Sequence, residues 1–186
     1  MLKPAYPIET PRLLLRPYEI DDVPAAHAFH SLPEVTRYLY WEPRDLDQVR
    51  ERVAEKAQVR ELTDAGQVLC LAVFERETGA LAGEVVLFWQ SREHRQGEIG
   101  YIFNPAFHGK GYATEASREM LRLGFDDLEL HRIAARCDGR NTASTKVMGR
   151  LGMREEAHLI ENEMVKGEWT DEIVYAMLRR EWDELP

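Results

Sequence analysis

The chain has 186 residues, 44% of them hydrophobic and 31% charged, with a formal net charge of -9 and a pI near 5.2. That length can bury one sizeable core and predicts a single domain over residues 1–186. The acidic balance opposes broad nucleic-acid binding, which needs a basic face to displace counterions from phosphates, and suits a cationic partner such as an amine. Apolar runs such as Val85–Trp89 fall far short of a membrane span. The first residues carry neither a secretory apolar core nor a small-residue cleavage site, which predicts a cytoplasmic protein. The two cysteines, Cys70 and Cys137, sit inside apolar runs and are expected to be buried thiols.

In chain order, RLLLR at 12–16 predicts a first strand closed by Pro17. Asp21 and Asp22 can cap a helix running to about Ser31, and Pro33 opens a short helical turn towards Tyr38. Leu46, Val49, Val53, Ala57 and Leu62 recur at helical spacing and predict an amphipathic helix from Asp45 to about Leu62. The period then changes. Val68–Phe74 and Ala80–Trp89 read as a hairpin, and Gly97–Phe103 as a strand stopped by Asn104-Pro105. A helix over 112–125, a strand over 131–137 and a helix from Asn141 to Leu151 follow. Two final strands, from about Met153 to Val165 and Thr170 to Leu178, are joined at Lys166-Gly167. The passage from 97 to 137 needs a crossover connection, so the expected architecture is α/β with a mixed sheet.

The strand ending at Phe103 is followed by a loop containing Gly109 and Gly111 and then directly by a helix. Such a junction gathers unpaired backbone N–H groups and attracts anions, and glycine lets a phosphate oxygen approach closely. The loop does not fit a P-loop, because Asn104 stands where the first glycine belongs and Gly111 where Ser or Thr belongs. It also fits a dinucleotide fingerprint poorly, with Thr114 at the third glycine position. On the two glycines alone, a tight turn without any ligand explains the segment equally well.

Taken together, TPRLLLRP at 10–17, GEIGYIF at 97–103, FHGKGYATEA at 107–116, RNTASTKVMGRLGM at 140–153 and KGEWTDEIVYAMLRREW at 166–182 resemble the GNAT superfamily of N-acetyltransferases. Within it, the resemblance is to the RimJ/RimL branch that acetylates ribosomal-protein N-termini. It implies a mostly antiparallel seven-stranded mixed sheet with helices on both faces and splayed central strands. The family's loop pattern falls on His108, Gly111 and Ala113, with His108 replacing the usual Gln or Arg. The resemblance implies acetyl-CoA as co-substrate, its pantetheine arm pairing with the backbone of Tyr101, Ile102 and Phe103. Its pyrophosphate would rest on the loop His108, Gly109, Lys110, Gly111, Tyr112, Ala113 and Thr114. Lys110, Lys146 or Arg150 could approach the remaining phosphate, or be solvated surface charges.

The same resemblance assigns Asn141 to the pantetheine arm and makes Ser144 the proton donor to the leaving thiolate; helix capping is the alternative reading of Asn141. Attack on a thioester needs a deprotonated amine, so a carboxylate must take the proton. Glu163 and Glu98 are the candidates, with Glu163 favoured, and a backbone N–H near 103 would polarise the carbonyl. His27 and His30 lie one helical turn apart, but no further ligand completes a metal site, and they read as surface histidines. Tyr38, Tyr40, Trp41 and Trp89 either line an acceptor cleft or pack in the core. The expected activity is direct acetyl transfer to a primary amine, most simply a protein or peptide N-terminus. Transfer to a small amine, transfer of a larger acyl group from succinyl-CoA, and a non-catalytic CoA-binding module are the alternatives. A monomer and a homodimer are both compatible with the residues.

Overall fold

A computed structural model describes residues 1–185. Its strands are β1 (Ile8–Glu9), β2 (Leu13–Pro17), β3 (Val68–Glu75), β4 (Leu81–Ser91), β5 (Gln96–Phe103), β6 (Arg132–Asp138), β7 (Arg154–Val165) and β8 (Glu168–Leu178). Its helices are α1 (Val23–His30), α2 (Pro33–Thr36), α3 (Leu46–Gln58), α4 (Tyr112–Arg122), α5 (Thr142–Arg150) and α6 (Arg179–Asp183). The strands form one sheet in the order β1-β2-β3-β4-β5-β6-β8-β7. Every neighbouring pair is antiparallel except β5 and β6, which are parallel across the α4 crossover. The mixed sheet expected from the sequence is therefore present, with eight strands where seven were expected. The extra one, β1, pairs only Ile8 and Glu9 with Leu15 and Leu14, since Pro7 and Pro11 bracket it and neither can donate to a ladder.

The central strand β3 is apolar from Val68 to Phe74 because both of its faces are covered. In β3, Leu69, Leu71 and Val73 face a core shared with α4 and α5, while Cys70 and Ala72 face a second core beneath α1 and α3. Full burial of each such leucine contributes roughly 1.5–3 kcal/mol. A capping box fixes the start of α3: Gln48 N–H donates to Asp45 Oδ1 at 2.9 Å and Asp45 N–H to Gln48 Oε1 at 3.0 Å. Val49 and Val53 are its buried stripe, whereas Leu46 is exposed. The helix ends at Gln58, short of the expected Leu62, because Val59 turns extended and Leu62 is drawn into a buried bridge with Leu2.

His30 is not the surface histidine the sequence suggested: it is 0% exposed, packed edge-on against Phe29 and Trp41. The expected turn between the last strands has positive φ at both Lys166 and Gly167, as a tight hairpin requires. Among the described residues, no helix is long and apolar enough to cross a membrane.

Candidate active site

The parallel neighbours β5 and β6 pair only from Gln96–Glu98 to Arg132–Ala134, although β5 runs on to Phe103 and β6 to Asp138. Beyond Glu98 the strands part, and a cavity of ≈ 260 Å³ occupies the gap. Residues 98–102 of β5 and 135–138 of β6 form two of its walls, with Asn141, Ser144 and Met148 of α5 and the Tyr38–Tyr40 loop completing it. Side chains alternate across a strand, so the two faces of this opening differ. Tyr101 and Cys137 pack with the α4–α5 core, whereas Ile102 and Val86 pack with the α1–α3 core. Glu98, Arg136 and Asp138 have the parity of the latter face. The cavity thus joins the α5 face to a carboxylate-bearing face.

Beside this opening, Gly109 and Gly111 adopt φ of 78° and 79°, and α4 starts immediately after Gly111. Among the described residues, the backbone N–H groups from Gly109 through Thr114 make no hydrogen bond. That run of unpaired donors is the nest the sequence led us to expect. A Cβ at Gly109 would meet nothing within 4 Å, and one at Gly111 only Arg12 Nη2 at 3.5 Å, so the space above the loop is open. Thr114 adds a buried hydroxyl without a partner. These features fit a diphosphate, the open cradle leaving room for its oxygens and the free N–H groups supplying its hydrogen bonds.

The loop is held from three sides. The His108 ring contacts the Phe103 carbonyl at 3.2 Å through Nε2, so this substitution ties the loop to its strand. Lys110 Nζ meets Glu75 Oε1 at 2.9 Å, and Tyr112 donates to the same oxygen at 2.5 Å. Those contacts, with a third from Thr78, hold the buried Glu75 carboxyl down at about 2, led by the Tyr112 bond. Arg12 donates to the Lys110 carbonyl at 2.7 Å and to Glu115 Oε2 at 2.7 Å. Neither Arg12 nor Glu75 was singled out from sequence. No local pattern marks them, since Arg12 and Glu115 are 103 positions apart. Lys146 and Arg150 are exposed and form no ion pair among the described residues.

Asn141 is the N-cap of α5, its Oδ1 accepting from Ser144 N–H at 3.1 Å. The capping reading is therefore correct, and it fixes Ser144 on the cavity wall. Cys137, expected in the core, is half-buried on the same wall, with its thiol pushed up to about 11 by burial. A thiol held protonated is a poor nucleophile. Cys70 is buried as expected.

On the other face, Glu98 lines the cavity, accepts from Gln90 at 2.7 Å and pairs with Arg136 at 3.2 Å. Arg136 also reaches the buried Glu172 at 3.4 Å. Glu163 is not on the cavity wall; it accepts a short hydrogen bond from the hydroxyl of Tyr40, which is. Among the described residues, Glu163 has no cationic partner. Lys166 Nζ donates to the Thr36 carbonyl at 2.8 Å, tying the β7–β8 hairpin to the same aromatic loop.

Glu84, 3% exposed at the cavity floor, is bound by Lys56 at 2.6 and 2.7 Å and by Tyr18 at 2.8 Å. His30 Nε2 lies 3.3 Å from Glu84 Oε2 but lacks the alignment of a hydrogen bond. Burial alone would raise the Glu84 carboxyl; the Lys56 charge and the nearby His30 outweigh it and keep it ionised. Tyr38 and Tyr40 are thus cleft residues, while Trp89 belongs to the core and Trp41 packs on His30.

Residues 12–154 match the family model described as an acetyltransferase (GNAT) domain. The chain belongs to the GNAT acetyltransferase family. It is 35% identical over 176 residues to the uncharacterized N-acetyltransferase YnaD of Bacillus subtilis, covering 95% of this chain and 99% of that protein. The crystal structure of a GNAT acetyltransferase from Bacillus anthracis superposes with a TM-score of 0.84 at 33% identity, covering 93% and 98% of the two chains. A spermidine N-acetyltransferase from Vibrio cholerae, solved with CoA and spermine, shares the fold at 24% identity and a TM-score of 0.78, covering 94% of this chain and all of the other. GNAT membership makes this protein an acyltransferase.

Proposed function

We propose that this GNAT protein transfers an acetyl group from acetyl-CoA to a primary amine by direct attack in a ternary complex, with the α-amino group of a protein or peptide as acceptor. The observation that carries the reading is the opening between β5 and β6, which connects Ser144 on one face to Glu98 and Tyr40 on the other, with Glu163 bound behind the Tyr40 hydroxyl. The open backbone nest beside it supports the donor's diphosphate at Gly109–Thr114, with the unpaired edge of Tyr101–Phe103 taking the pantetheine arm as an added strand.

A carboxylate on the acidic face takes the ammonium proton, and the amine lone pair then attacks the thioester carbonyl. A backbone N–H near Phe103 stabilises the oxyanion. As the carbon–sulfur bond breaks, Ser144 Oγ gives its proton to sulfur. Glu163 is the better base, because Glu98 already accepts from Gln90 and Arg136 whereas Glu163 faces only the neutral Tyr40 hydroxyl. The inert thiol of Cys137 is consistent with a route that needs no acyl-enzyme.

A second reading is a small polycationic amine as acceptor. It is favoured by the density of carboxylates at Glu84, Glu98, Asp138 and Glu172 around the cleft, and by the neighbour solved with spermine. Release of free thiol from acetyl-CoA, measured with panels of peptides and polyamines and joined to mass analysis of the acceptors, separates the two. Acetylated peptide N-termini support the first reading, and turnover confined to polyamines supports the second. Failure of every amine to stimulate thiol release would refute both, and a preference for succinyl-CoA would change the donor.

A further inference from the structure

We infer that Tyr101 is a positioning residue for the leaving-group proton: its phenol holds the Ser144 hydroxyl and changes hydrogen-bond partner as that hydroxyl gives up its proton. The inference rests on Ser144 being the proton donor proposed above. Tyr101 Oη lies 2.9 Å from the Ser144 carbonyl oxygen and 2.8 Å from Ser144 Oγ. A carbonyl only accepts and a phenol has a single hydrogen. When the phenol donates to the carbonyl, the Ser144 O–H must donate to the phenol, and its proton points away from any group in the cavity.

Rotation of the phenolic O–H from the carbonyl to Oγ reverses this: Oγ becomes the acceptor and its own hydrogen is released towards the cavity, which both residues line. The rotation sacrifices little, because a carbonyl oxygen has a second lone pair for the helix. The rest of the assembly is fixed. The Ser144 N–H is held by Asn141 Oδ1, and Tyr101 springs from β5 beyond the last residue paired with β6, so its ring spans the opening to α5. Burial pushes the phenol up from its ordinary value, which keeps its proton available as a hydrogen-bond donor.

The protons balance. The amine gives one to the carboxylate, and the carbon–sulfur electron pair passes to sulfur, which takes the Ser144 proton. Oγ, left without its proton, is held by the hydrogen bond that the Tyr101 phenol now donates to it, and the phenol keeps its own proton. Once products leave, solvent water returns a proton to Oγ and removes one from the carboxylate.

A double-mutant cycle of Tyr101→Phe and Ser144→Ala tests the coupling. Tyr101→Phe should lower kcat roughly 10- to 100-fold, the usual scale of general acid assistance, with the KM for acetyl-CoA unchanged. In the Ser144→Ala background the same substitution should have no further effect. An equal loss in both backgrounds, or full turnover in Tyr101→Phe alone, overturns the inference while leaving Ser144 as donor. Full turnover in Ser144→Ala instead removes the donor assignment itself, a separate result. Incorporating 4-fluorophenylalanine at 101 keeps the ring and its length in place should the phenylalanine variant fail to fold, while removing the O–H donor. It should lower kcat by the same factor in the Ser144 protein and have no effect in the Ser144→Ala background, and full turnover in the Ser144 protein overturns the inference.

Discussion

Beside the cleft, at the start of α4, the nest is made of main chain from one short stretch, Gly109 to Thr114, whose donors stand free because a helix begins there. On the α1–α3 face the cleft is made of side chains brought together over long distances: Tyr40 meets Glu163 across 123 positions, and Lys166 meets Thr36 across 130. The first arrangement depends on backbone dihedrals and tolerates exchanges such as the histidine at 108. The second depends on the identity and placement of each carboxylate. If the nest holds the donor and the carboxylates the acceptor, as proposed, donor recognition can persist through sequence change that redirects acceptor choice.

The sharpest way to break this contrast is Gly111→Glu. It imposes a left-handed φ on a residue with a Cβ and sets a carboxylate beside the nest, within reach of Arg12. Charge-assisted bonds to a phosphate contribute on the order of 1.5–3 kcal/mol each, so loss of two predicts an acetyl-CoA Kd at least about 100-fold weaker. Calorimetric titration reads it directly, and near-normal affinity would show that the diphosphate rests elsewhere.

Glu163→Gln sharpens the other half. It should cut kcat roughly 100-fold or more while acetyl-CoA binding is retained, with the parallel change at Glu98 costing less. Steady-state rates with saturating donor decide between them; a larger loss at Glu98 would transfer the base to the residue on the cavity wall.

The same contrast governs what the sequence could reveal. The order of strands and helices, the crossover and the glycine loop were readable because each is set by local periodicity, proline stops and turn residues. Even the α5 cap at Asn141 was readable as a cap. The burial of His30 beside Glu84 and Lys56 was not, since a histidine at the end of an amphipathic helix looks the same whether the next layer is water or a loop carrying Trp41. Nor was the Tyr101–Ser144 contact: the tyrosine was named for its backbone, and its hydroxyl finds α5 only because β5 and β6 separate. The end of α3 was misplaced for a related reason, a tertiary bridge to Leu2 overriding helical periodicity.

The smallest effect is expected at Glu75, where a side chain supports the main-chain half. Its carboxylate, 7% exposed, receives Lys110 and Tyr112 from the loop, and these contacts lower it from an ordinary 4.5 to about 2. A depressed carboxyl contributes stability that is fully present above its ordinary value and is lost as pH falls through the depressed one. Glu75→Gln should therefore lower Tm and weaken acetyl-CoA binding modestly, by roughly threefold, at neutral pH, where the ion pair to the half-exposed Lys110 is intact. Below pH 4.5 the gap in Tm between the two proteins should narrow, closing near pH 2 as the natural carboxylate takes up its proton. A gap that stays constant across that window would mean that Glu75 holds the loop by shape alone, and that the nest needs no charge behind it.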